Sequence, residues 1–188
     1  MKILARNIEL GQSVKSAIYM ASMLALVLGG TVFIGTKPAS AGPYPYTGSI
    51  TNSESGKCLT VAATYPVAGT KLTQYPCSDS DANQHWTFDY SYTGYIIFHA
   101  NYNHSLCIEA GQFNNSPVVV NTCNINTLAQ KWTQIVGNDN PFVLLQSWSS
   151  HLDGFCVTSY NDDTGGTIGQ TIYCNPSNRK QEWRLWTL

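Results

Sequence analysis

The chain has 188 residues, 10 Lys and Arg against 11 Asp and Glu, a formal charge of −1 and only 11% charged residues. Its 43% apolar and 12% aromatic content is too high for an intrinsically disordered chain. The charge balance lacks the basic excess that a nucleic-acid partner requires.

Residues 1–41 stand apart. They carry Lys2, Arg6, Lys15 and Lys37 with a single acid, Glu9, and hold an apolar run, Met20 to Leu28, followed by Ala39-Ser40-Ala41. A basic segment, an apolar segment and an A-x-A site in that order predict a secretory signal peptide cleaved after Ala41. The uncharged stretch is also long enough for an uncleaved membrane anchor, the other reading of the segment. Cleavage leaves a single domain over residues 42–188 with six bases and ten acids, a charge of about −4. That charge argues against nucleic acid or anionic lipid as partner, and no stable membrane insertion of the mature chain is expected. The protein is expected to be secreted. All six cysteines lie in the exported part, and an even count there reads as disulfides.

The mature chain repeats itself three times. Cys58, Cys107 and Cys156 are spaced by 49 residues, and each is followed by a second cysteine, Cys77, Cys123 or Cys174. Seven residues beyond each second cysteine stands Gln84, Gln130 or Gln181, and two further on Trp86, Trp132 or Trp183. A fourth Q-x-W, Gln146-Ser147-Trp148, lacks the cysteine and is excluded from the repeat, which leaves Trp148 as a packing or rim residue of the third unit. The three units run over about 46–92, 93–138 and 139–188.

Strands are expected in chain order at 48–52, 57–61, 71–75 and 85–88, then at 95–98, 106–108, 117–122 and 131–135, and finally at 142–146, 155–157, 170–174 and 182–186. Turn-forming clusters separate them: 53–56, 66–69 and 78–83 in the first unit. No helical period persists beyond residue 42. Twelve short strands suggest a closed all-β body, because closure removes exposed sheet edges. In Q-x-W the Gln and Trp share one strand face, so three tryptophans can fill a common core while the glutamines bond nearby turns.

Ser55-Gly56-Lys57-Cys58-Leu59, the cysteine pairs and the three Q-x-W motifs resemble a ricin B-type lectin domain over about residues 44–188. The resemblance implies a β-trefoil of three four-stranded repeats with pseudo-threefold symmetry, carbohydrate binding and no catalysis. It also implies one disulfide per repeat, Cys58–Cys77, Cys107–Cys123 and Cys156–Cys174.

The family pattern further implies where sugar binds: an acid two residues after the first cysteine, an aromatic before the second, and an Asn directly before the Q-x-W glutamine. Aromatic faces stack on the apolar side of a pyranose, and planar amides or carboxylates bond vicinal hydroxyls. The first repeat offers Tyr75, Asn83 and Gln84, with Thr60 at the acid position and Asp79 and Asp81 in the adjacent loop as carboxylates in its place. The second offers Glu109, Asn121 and Gln130, with Ala129 before the glutamine. The third has Thr158, Ile172 and Lys180 at the three positions but keeps Gln170. The first repeat is the best candidate, and Glu109, Asn121, Gln130 and Gln170 are weaker. Galactose-type glycans are the family's commonest ligands. The departures from the acid position keep a second reading open, a trefoil that has lost sugar binding and acts through protein contacts as a toxin subunit or inhibitor. His85, His99, His104 and His151 show no metal-ligand spacing, no nucleophile motif surrounds them, and no cofactor or metal is expected.

Overall fold

A computed structural model describes residues 46–138, 141–149, 155–171 and 173–187. The signal peptide expected at 1–41, and with it the cleavage site, lies outside the described residues, as do His151, Asp153 and Ile172. The described residues are all-β with three short 3-10 turns. The strands are β1 (Tyr46–Asn52), β2 (Cys58–Val61), β3 (Thr70–Tyr75), β4 (His85–Asp89), β5 (Ile97–Ala100) and β6 (Asn103–Glu109). They continue with β7 (Val119–Thr122), β8 (Trp132–Val136), β9 (Val143–Ser147), β10 (Phe155–Ser159), β11 (Gly166–Thr171) and β12 (Glu182–Thr187). No helix among the described residues is long and apolar enough to cross a membrane.

The strands form one antiparallel sheet that returns on itself. From β10 the order is β11, β3, β7, β6, β5, β4, β1, β12, β9 and β8, and β9 pairs again with β10 through Cys156↔Gln146. The hairpin strand β2 joins from the side, pairing with β3 over four residues and with β1 at Thr51↔Cys58. Circular pairing leaves short, heavily Thr-, Ser- and Asn-bearing strands without a long open edge.

Strand positions follow the expected alternation closely in the first unit and depart from it in the third. The eleventh strand was expected over 170–174 and instead runs over Gly166–Thr171. The pairing partners decide the shift: Ser159↔Ile168 and Cys156↔Thr171 register β11 on β10, and Gly166↔Gln74 registers it on β3. That register puts Ile168 into the core with no exposure. The local run before Cys174 carries no information about either partner strand.

The three Q-x-W tryptophans are buried together in one cluster with Ile50, Leu59, Phe88 and Phe98. Phe88 and Phe98 meet edge-to-face with centroids 5.6 Å apart, a favoured aromatic geometry. Each indole N–H donates to the carbonyl one residue after a first cysteine: Trp86 to Leu59 at 3.1 Å, Trp132 to Ile108 at 3.1 Å and Trp183 to Val157 at 3.0 Å. Burying an indole without such a partner would leave an unsatisfied donor.

The glutamines clamp the turns. Each closes a 3-10 turn (Ala82–Gln84, Leu128–Gln130, Arg179–Gln181) and is itself buried. Their Nε2 groups donate to the carbonyls of Pro76, Thr122 and Tyr173 at 3.0, 2.9 and 3.0 Å. Their Oε1 atoms accept from the N–H groups of Ser78, Asn124 and Asn175 at 2.8, 2.7 and 2.7 Å. These are the residues on either side of Cys77, Cys123 and Cys174, so each glutamine fixes the segment that carries the second cysteine. The disulfides are Cys58–Cys77, Cys107–Cys123 and Cys156–Cys174, the pairing the resemblance implied. Replacing both Cys58 and Cys77 by Ala is expected to lower unfolding stability by about 3 kcal/mol, the chain-entropy contribution of a loop of this size. Urea unfolding of the double variant checks this, and an unchanged midpoint contradicts it.

Candidate functional site

In the first repeat, β2, β3 and the turn before β4 surround a shallow open cavity of about 460 Å³. Thr60 and Val61 from β2, the chain at Ala62 to Thr64, Tyr75 at the end of β3, and Asp81 and Asn83 from the 3-10 turn line it. Tyr75 pairs with Cys58 across the hairpin and is 41% exposed. A Cβ added at Gly165 would lie 3.4 Å from the Tyr75 hydroxyl, so the phenol reaches across to the turn ahead of β11. The ring thus stands at the rim with a close neighbour at its tip.

Asn83 is held on two sides. Its N–H donates to Asp81 Oδ1 at 3.0 Å, an Asx cap of the turn, and its Nδ2 donates to the Ala63 carbonyl at 3.0 Å. Its Oδ1 is buried and has no hydrogen-bond partner. A buried acceptor without a donor is costly. Asp81 lines the cavity, whereas Asp79 is not among the lining residues. One oxygen of Asp81 takes the Asn83 N–H, and a carboxylate has further lone pairs for a hydroxyl donor.

Thr60 also lines the cavity, but it is buried and its hydroxyl donates to the Cys58 carbonyl at 2.8 Å. It shapes the floor and its proton is already placed. Gln84 is 2% exposed with both ends of its amide on backbone, so its role is the turn clamp rather than a ligand contact. Of the first-repeat residues, Tyr75 and Asp81 line the cavity with side chains not wholly committed to backbone, and Asn83 lines it beside them.

The second repeat closes on itself. Glu109 accepts from Asn121 Nδ2 at 3.0 Å through one oxygen and from Gln130 Nε2 at 2.7 Å through the other. The longer Glu side chain reaches the clamp glutamine beneath it, and Asn121, standing where the pattern has an aromatic, caps the carboxylate from the side. All three predicted residues are brought together, but they satisfy one another. In the third repeat Thr158 is buried, with its hydroxyl on the Cys156 carbonyl at 3.0 Å and accepting from Gln181 Nε2 at 3.3 Å. Lys180 pairs with Asp162 at 4.0 Å. Gln170 falls in β11 opposite Val157, and its side chain lies outside the described residues.

His99 sits beside the second disulfide, with Nδ1 3.4 Å from each sulfur and 3.1 Å from the His104 carbonyl. Those sulfurs are bonded to each other and are not thiolates, so this cluster does not amount to a metal-ligand set.

The family model of the ricin-type β-trefoil lectin domain matches residues 46–183. A comparison with curated proteins gives no match. Among solved structures, ThreeFoil, a designed threefold-symmetric protein, aligns with a TM-score of 0.66 at 20% identity, covering 76% of this chain and 99% of that one. The C-half of an earthworm R-type lectin, solved with GalNAc, aligns with a TM-score of 0.58 at 17% identity, covering 77% and 100%. A mosquitocidal holotoxin aligns with a TM-score of 0.66 at 17% identity, but the match covers 78% of this chain and only 18% of the toxin chain. At such identities the neighbours establish the fold, and the family match, which extends from β1 into β12, establishes membership: the chain belongs to the ricin-type β-trefoil lectin domain family.

Proposed function

We propose that the protein is a secreted, non-catalytic carbohydrate-binding module that takes a sugar ring in the first-repeat cavity. In this reading the body is three four-stranded repeats with pseudo-threefold symmetry, and the first keeps an open site. The observation that carries it is the convergence of an exposed ring, Tyr75, with Asp81 and Asn83 around one open cavity. Tyr75 stacks on the apolar face of a pyranose, and Asp81 accepts from two of its hydroxyls in place of the acid that Thr60 replaces. Galactose-type sugars are the first ligands to try, since the earthworm neighbour was solved with GalNAc.

A monosaccharide in so open a cavity binds at about millimolar strength, because few atoms are buried and the hydroxyls must be desolvated. Tyr75→Ala is expected to weaken glycan binding about tenfold, about 1.4 kcal/mol. Its melting temperature should stay near that of the parent, since the ring is at the surface. Calorimetry and thermal unfolding of the same variant test both parts. Unchanged binding removes the first repeat as the site. A glycan array on which no sugar binds removes the lectin reading and leaves a trefoil acting through protein contacts. Export is checked by N-terminal sequencing of secreted protein, which should begin at Gly42; an intact Met1 on a membrane-bound product contradicts it.

A further inference from the structure

The excluded motif Gln146-Ser147-Trp148 belongs neither to the core nor to the first-repeat cavity. Gln146 and Ser147 end β9, and Trp148 follows it 39% exposed. The residue is nonetheless held firmly, and against the second repeat rather than the third. Its backbone N–H donates to the Lys131 carbonyl at 3.0 Å, and its indole N–H donates to Thr133 Oγ1 at 2.6 Å. The loop between β4 and β5 comes up beside it. Tyr95 meets Trp148 edge-on with centroids 5.3 Å apart, and Tyr92 stacks on Tyr95 at 5.1 Å with planes 10° apart. Lys131 Nζ lies 4.7 Å from the Tyr95 ring centre. Gly94 turns this loop with φ +89°, and a Cβ there would sit 3.9 Å from the indole. At Gly94 the loop therefore passes the ring without a side chain. Beside Tyr92 and Tyr95 is an open hollow of about 210 Å³, lined also by Tyr90, Gly94, Thr133 and Gln134, with Trp148 behind it on Thr133 and Tyr95.

Three aromatic rings fixed at a surface are costly to leave in water and mark a contact site. The hollow is smaller than a drug-sized pocket, which suits a single ring. Its edges carry the Thr133 hydroxyl and the Gln134 amide rather than a continuous apolar face. An acidic mature chain does not favour an anionic lipid surface. We propose that Tyr92 and Tyr95, backed by Trp148, form a second carbohydrate platform, separate from the three repeat pockets, that packs one neutral sugar ring and reads its hydroxyls through Thr133 and Gln134. The ligand class rests on the lectin reading above; the platform rests on its own residues, none of which lines the first-repeat cavity. Two sites on one chain give a branched or polymeric glycan a gain by effective concentration that a monosaccharide lacks.

The test reads the indole N–H signals in ¹H–¹⁵N spectra of the purified protein. The Trp148 signal is assigned as the one lost in Trp148→Phe. The probes are galactose, N-acetylgalactosamine, glucose and N-acetylglucosamine at tens of millimolar, with oligomers of each. The platform predicts a saturable shift of the Trp148 signal with at least one probe, retained in Tyr75→Ala. It also predicts that Trp148→Ala weakens oligomer binding about tenfold while monosaccharide binding at Tyr75 persists. If Tyr75-dependent binding titrates and the Trp148 signal does not move, the platform falls and the lectin reading stands. If no probe moves any signal, both fall. Concentration-dependent sedimentation abolished by Trp148→Ala makes the patch a contact between copies and also overturns the platform. Should Trp148→Ala unfold, the shift in the parent protein decides.

Discussion

Trp86→Ala is expected to lower unfolding stability by about 3–5 kcal/mol, the cost of emptying a buried aromatic site. The ring has no exposure, and it sits among strands whose order around the closed sheet leaves little freedom to collapse into the gap. Its removal also strips the Leu59 carbonyl of the indole N–H. Trp132→Ala and Trp183→Ala remove the same bond from Ile108 and Val157 and should cost similar amounts, since both rings are equally buried. Urea denaturation of the three variants gives the comparison. A loss below about 1 kcal/mol at any one would mean that its ring is not a core element. The contrast with Tyr75→Ala is informative, because the two substitutions act on different quantities: the core variant loses folding and the rim variant loses ligand. Binding by the fraction of Trp86→Ala that remains folded should match the parent, since Trp86 does not line the cavity.

The core and the disulfides were legible because each is written as a local interval that the chain repeats. Cysteine, glutamine and tryptophan recur with fixed offsets, and every recurrence turned out to be the same set of bonds to the same relative positions. The strand order of the third unit was less legible. β11 is placed by Gln74 of the first unit and by β10, partners far away in sequence, and the run ahead of Cys174 offered no local sign of that. The site was legible in its types and not in its orientations. The family resemblance marked Glu109, but only the geometry shows its two oxygens turned to Asn121 and Gln130. The resemblance equally marked Thr60 without showing that its proton goes to the Cys58 carbonyl. Asp81 needed the turn: as the cap of Asn83 it is brought to the cavity, while Asp79, two residues earlier in the same loop, is not. Trp148 was set aside for lacking the cysteine, a sound criterion for repeat membership. That criterion says nothing about the loop of Tyr92 and Tyr95, which the fold brings beside it from some fifty residues away.

Gly48→Ala is expected to cost about 3 kcal/mol or more, at the upper end of overpacking effects. Gly48 lies inside β1, between Trp86 of β4 on one side and Thr187 of β12 on the other. A Cβ there would fall 1.6 Å from the Trp186 carbonyl oxygen, 2.7 Å from its carbon and 3.0 Å from Phe88 Cε2. A methyl group has no torsion by which to escape, and the nearest atoms are backbone in a paired strand. Relief requires β1 and β12 to separate, which breaks the hydrogen bonds that help close the sheet. A glycine in a strand interior often marks such a close approach of another backbone. Gly69→Ala is the control: its surroundings are empty within 4 Å, and only its φ of +89° opposes a side chain. That control should cost about 1–2 kcal/mol, the penalty of a left-handed conformation. Denaturant unfolding of both variants separates the two mechanisms. If Gly48→Ala loses no more than Gly69→Ala, β1 and β12 have room to part, and the tight pairing of the first and last strands is not what holds the sheet closed.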